Sequence, residues 1–91
     1  MKITVQSIRF NADRKLLDFI QRKADKLDTF YDQIISGEVY LKLENVENEA
    51  NKVTEIKLLL PGNQIFAKEQ CKTFEEATDL AVESLRKQIE K

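Results

Sequence analysis

The sequence predicts an α+β fold: a two-layer sandwich of order β-α-β-β-β-α, in which two helices cover one face of a four-stranded sheet. Three observations predict it. Two long stretches, about Ala12 to Phe30 and Thr73 to Lys91, repeat apolar residues at helical spacing. Four shorter stretches alternate apolar and polar residues, the period of a half-buried strand. The last three of these are joined by short connections, which favours an antiparallel meander.

The first strand is Lys2 to Arg9, where Ile3 and Val5 alternate with Thr4 and Gln6. Asn11 then offers a side-chain oxygen as helix N-cap. At about 100° per residue, Leu16, Leu17, Ile20, Ala24, Leu27 and Tyr31 gather on one side of the first helix, flanked by Phe19 and Phe30. Its charges segregate on the other side. Lys15, Arg22 and Lys26 fall within roughly 40° of one another, Asp18, Asp25 and Asp28 lie further round, and Lys23 sits between the basic strip and the apolar face.

Ser36-Gly37 breaks the helical pattern, and Val39–Glu44 alternates cleanly. Val39, Leu41 and Leu43 are expected to face the core, with Tyr40, Lys42 and Glu44 opposite. Asn45–Asn51 is a polar connection. In Val53–Leu60, Ile56, Leu58 and Leu60 point one way and Val53, Glu55, Lys57 and Leu59 the other. Pro61-Gly62 suits the centre of a type II turn. Ile65–Cys71 returns as the fourth strand, Ile65 and Ala67 inward, Phe66 and Lys68 outward. Thr73 with Glu76 forms a capping box, and Ala77, Ala81, Leu85 and Ile89 make the stripe of the closing helix, with Phe74 and Val82 beside them. Leu80 lies off that stripe and is expected at the helix–helix contact.

The 91 residues fit one small domain, 1–91, with a single core. A hydrophobic share of 42% beside 34% charged residues describes a globular chain, not a disordered one. No apolar run reaches the roughly 18–20 residues that cross a bilayer. MKITVQSIRF also lacks a continuous apolar signal core, so the expected location is cytoplasmic. The lone Cys71 reads as a half-buried small side chain, not a reactive thiol. There is no histidine, no phosphate-binding glycine loop and no metal-spaced Cys/His set. Glu75, Glu76 and Asp79 are explained as first-turn residues of a helix, and Glu44, Glu47 and Glu49 lack calcium-loop spacing. The expectation is no enzyme, no cofactor and no metal.

Two surfaces remain as candidates. Basic residues end both helices: Arg22, Lys23 and Lys26 in the first, Arg86, Lys87 and Lys91 in the second. If the helices lie side by side, the two groups form one patch suited to phosphates. Dipole compensation, at about 0.3–1 kcal/mol per terminal charge, explains the same placement without any ligand. The second surface is the open sheet face, with Tyr40, Phe66, Val53, Leu59 and several lysines. It reads first as an ordinary solvated face, then as a protein contact such as a weak homodimer, then as a base-stacking platform.

Several strings, in order, are more specific: KITVQSIRF, LLDFIQRKADKLDTFYDQI, EVYLKLENV, the Pro-Gly hairpin into IFAKE, and LRKQIEK. In these the chain resembles, over nearly its whole length, the short ribosome hibernation promoting factor and ribosome-associated inhibitor family, also called sigma-54 modulation proteins. The resemblance implies a fold close to double-stranded RNA-binding domains. It implies binding to the small ribosomal subunit in the mRNA/tRNA channel, where such proteins silence idle ribosomes. It implies rRNA contacts from basic helix residues, matched here by Lys23, Lys26, Lys87 and Lys91, with Lys42 on the second strand; Arg22 and Arg86 join them by position. The chain departs from the family pattern at Glu69, Thr73, Phe74 and Ser84. The competing reading is a protein-interaction module, a dimer or a transcription-factor modulator, using the open sheet face.

Overall fold

Strand alternation and helical spacing together place one apolar surface on each element, and the fold brings those surfaces to a common interior. A computed structural model describes residues 1–44 and 49–90. In chain order they form β1 (Lys2–Ser7), α1 (Arg14–Asp25), a 3-10 turn (Lys26–Thr29), β2 (Ser36–Leu43), β3 (Lys52–Leu60), β4 (Asn63–Cys71) and α2 (Phe74–Glu90). The sheet order is β1-β2-β3-β4. β1 and β2 are parallel, so the chain must cross over between them, and α1 makes that crossover. The other two pairings are antiparallel, as the short connections predict.

Register aligns the inward residues into rows across the sheet. One row runs Val5, Val39, Ile56, Ala67; the next runs Ile3, Gly37, Leu58, Ile65. Against them α1 and the turn after it bring Leu16, Ile20, Ala24 and Leu27, and α2 brings Ala77, Ala81 and Leu85, all buried. Each full burial of a Leu, Ile or Val side chain contributes about 1.5–3 kcal/mol, so this layer dominates the stability. Gly37 fits its row for lack of a side chain: a Cβ there would lie 2.6 Å from Ile3 Cδ1. α2 is also tied to the sheet by Thr78, whose hydroxyl meets that of Thr54 at 3.4 Å, both fully buried.

The predicted architecture is the one observed, with local differences. The N-cap of α1 is Asp13, not Asn11; its Oδ1 accepts from Leu16 N–H at 2.8 Å. Two residues nearer the helix, Asp13 reaches the third N–H of the first turn, which Asn11 is too early to do. The first helix is not continuous to Phe30 either. After Asp25 it tightens into the 3-10 turn, where Phe30 N–H bonds to the Leu27 carbonyl at 3.1 Å. Leu43 keeps its inward parity but is the last residue of β2, opposite Lys52 at the sheet end, and is 49% exposed. Val53, expected on the open face, is fully buried between Lys42 and Gln70, the latter held by donating to the Ala50 carbonyl. Leu80 does not reach α1. It lies on the other flank of α2 with Glu69, Ser84 and Lys87, and is 46% exposed. Gly62, with φ +71°, takes the left-handed position that the Pro-Gly turn requires. The Thr73 hydroxyl accepts from Glu76 N–H at 3.0 Å, the first half of the expected capping box.

Candidate nucleic-acid interface

The two helices lie side by side on one face of the sheet. Residues spaced four, seven and eleven apart share a helical flank. On α1 and its turn these are Phe19, Lys23, Lys26 and Phe30; on α2 the facing residues are Asp79, Val82, Glu83 and Arg86. Between them runs a groove of about 240 Å³, lined by Lys23, Lys26, Phe30, Asp79, Val82 and Arg86 among others. Basic side chains from both helices therefore meet there, as the side-by-side arrangement predicts.

The groove's charges are partly spoken for. Lys23 Nζ lies 2.9 Å from Asp79 Oδ1, a bridge between the helices, and 5.4 Å from the Phe19 ring centroid. Arg86 holds Glu83 by two hydrogen bonds, of 3.1 Å and 2.5 Å, and Glu90 by a third of 2.5 Å. The Arg86 guanidinium hydrogen-bonded to it holds the Glu83 carboxyl below its ordinary value, and the same bond raises Arg86. Arg86 also sits 5.5 Å over the Phe30 ring. Arg22 lies 5.9 Å over the outer Phe19 ring. Among the described residues, neither Arg22 nor Lys26 makes an ion pair with a carboxylate. Both are exposed and free to meet a phosphate without first breaking a bridge.

The acidic side of α1 is turned away. Gln21 donates to Asp25 at 2.9 Å, and the Met1 ammonium meets Asp28 at 2.5 Å and Asp25 at 3.5 Å. Neutralising Asp25 and Asp28 on the β1 side leaves the α2 side of the helix the more positive.

The remaining candidates lie elsewhere. Lys87 is exposed and outside the groove's lining, in an adjoining hollow with Glu69, Gln88 and Glu83, the last of which also lines the groove. Gln88 there donates to the Phe66 carbonyl at 3.0 Å, covering an acceptor on the free edge of β4. Lys42 is on the other face of the sheet, 3.1 Å from Glu55 and 3.7 Å from Glu44; the bond to Glu55 raises its pKa. Lys68 shares Glu55 at 3.6 Å, Lys57 lies 3.9 Å from Glu38, and Tyr40 donates its hydroxyl to Glu38 at 3.2 Å. The open face thus pairs Lys42, Lys57 and Lys68 with carboxylates of its own, and Leu59 and Phe66 are large exposed apolar residues on it. Lys91 and Glu47 lie outside the described residues. Cys71 is buried at the end of β4, which pushes its thiol up, away from reactivity.

Two features of the groove were not legible as function. Phe19 and Phe30 read as flanks of the core stripe, yet each carries a cation over its ring. Asp79 read as a dipole charge, yet it bridges to Lys23. Nothing in a single helix's sequence says which neighbour its flank will meet.

The protein is thus an α+β body whose two-helix layer bears basic and aromatic side chains along one groove. Residues 3–91 match the family of sigma 54 modulation protein / S30EA ribosomal protein, and the chain belongs to that family. Its members are non-enzymatic factors. The fold is shared with two solved structures. The Protein Y N-terminal domain of Thermus thermophilus is 24% identical, with a TM-score of 0.84 over 98% of this chain and 96% of that one. A ribosomal subunit interface protein from Coxiella burnetii is 19% identical, with a TM-score of 0.86 over 99% and 94%.

Proposed function

We propose that the protein is a cytoplasmic ribosome hibernation factor. It occupies the mRNA/tRNA channel of the small ribosomal subunit and inhibits translation by excluding both ligands. Family membership and the name of the Coxiella burnetii relative support a ribosomal partner. The observation that carries the binding mode is the convergence of Lys23, Lys26 and Arg86 along one groove, with Arg22 beside them and Lys87 in the adjoining hollow. In this reading the helix layer, residues 1–91 acting as one domain, grips rRNA phosphates. Arg22, Lys26 and Lys87 supply the long-range charge, while Lys23 and Arg86 exchange a carboxylate for a phosphate. Lys91, outside the described residues, adds a further contact. Lys42, on the far face and bridged to Glu55, stands outside it.

The test is co-sedimentation with purified small ribosomal subunits. Arg22→Glu, Lys26→Glu and Lys87→Glu together should abolish association while the thermal unfolding stays cooperative. Prebound mRNA should also exclude the wild-type protein. Unchanged binding by the triple variant would sink the proposal.

A further inference from the structure

We infer that Phe30 is a stacking platform for one unpaired nucleobase of the bound RNA, with Lys26 and Arg22 holding phosphates beside it. This rests on the ribosome-binding reading above. Phe30 closes a segment in which Leu16, Ile20 and Leu27 are buried, yet it is 54% exposed. Its position is set by the backbone: its own N–H and that of Tyr31 both bond to the Leu27 carbonyl, at 3.1 Å and 3.0 Å. One face of the ring is capped by the Arg86 guanidinium at 5.5 Å, and Arg86 is itself pinned by Glu83 and Glu90. The cap is therefore preset, and an incoming ring takes the other face.

A lone exposed phenylalanine is ordinary. This one differs by its company. It lines a groove with Lys23, Lys26 and Arg86, and about three turns earlier on the same flank Phe19 carries Arg22 and Lys23 over its ring. Aromatic rings alternating with cations along one flank suit a single strand, whose bases stack while its phosphates meet the charges. A purely apolar partner would bury the Lys26 ammonium, which has no carboxylate partner among the described residues, at a cost a nucleotide avoids.

The experiment measures affinity for purified small ribosomal subunits across a salt series, for the wild type, Phe30→Ala, Phe30→Leu and Phe30→Trp. Base stacking predicts that Ala and Leu each weaken binding by about 5- to 150-fold, while Trp keeps it. The dependence on salt should not change, since no charge is altered. Leu, close in volume and apolar, separates stacking from simple apolar contact and guards against misfolding. Binding by Phe30→Leu equal to wild type would overturn the inference in favour of contact with ribosomal protein. Binding by Phe30→Ala equal to wild type would overturn it outright and leave the ribosome-binding reading standing. Absence of wild-type binding would overturn both.

Discussion

Neutralising Arg22 and Lys26 together, as Arg22→Gln/Lys26→Gln, isolates the charges that the structure leaves unpaired. Lys23 and Arg86 are bridged to Asp79 and to Glu83 and Glu90, so a phosphate gains little from them until those bridges open. Arg22, Lys26 and Lys87 make no such bridge among the described residues. Phosphate contacts by these three contribute about −2.1 to −2.7 to the slope of log affinity against log salt, so a fourfold rise in salt weakens binding about 20- to 40-fold through them. The double variant keeps one of the three, and the same rise should then cost only about 3-fold through that group. The assay is equilibrium binding to small ribosomal subunits between about 50 and 200 mM salt, the range over which such losses are typical. Lys42→Gln is the control: on the opposite face and held by Glu55, it should leave the slope unaltered. An unchanged slope in the double variant, or an equal fall in Lys42→Gln, would refute the assignment of the helix groove as the RNA-facing surface.

Other expectations concern the scaffold. Gly37→Ala places a Cβ 2.6 Å from Ile3 Cδ1 and 3.1 Å from Leu58 Cδ2. Because the nearer atom is the free end of a side chain, the expected loss is about 1 kcal/mol in urea unfolding, the low end for overpacking; no loss would mean that Ile3 simply turns aside. Asp13→Ala should cost about 1 kcal/mol by thermal unfolding and Asn11→Ala almost nothing, because only Asp13 accepts from the first turn; equal effects would contradict the cap. Glu83 is held below the usual carboxylate value by its hydrogen bond to Arg86. A depressed carboxylate contributes stability above its unfolded value and loses it as pH falls through the folded one. The difference in stability between wild type and Glu83→Gln should therefore be constant near neutrality and shrink in acid, below the ordinary carboxylate range. A difference that persists unchanged in acid would place the effect outside the Arg86 pair.

Local periodicity explains why so much of the body could be read in advance. Val39, Leu41, Ile56 and Leu58 face inward because alternation is a property of the strand itself, and Ile20, Ala81 and Leu85 because 3.6-residue spacing is a property of the helix. The errors fall where burial depends on neighbours. Leu43 and Val53 sit at the same end of the sheet with the wrong expected exposure, since parity assigns a face but not what covers it. Leu80 lay off the stripe in either direction, and only the placement of α1 decides which flank of α2 it joins.

The candidate site divides in the same way. The residue types and their positions on the two helices were determined by the sequence alone, down to the basic strip of Lys15, Arg22 and Lys26, because angle around a helix follows from residue number. The sequence also determined the order of elements and the inward rows of the sheet. What only the tertiary structure decided is which charges are available. It joins Lys23 to Asp79 across 56 positions of chain, puts Arg86 over Phe30, locks Lys42 to Glu55 on the far face and leaves Lys87 outside the groove's lining. An ion pair depends on distance in space, falling off over a few ångströms, and sequence separation carries no information about that distance until the chain has folded.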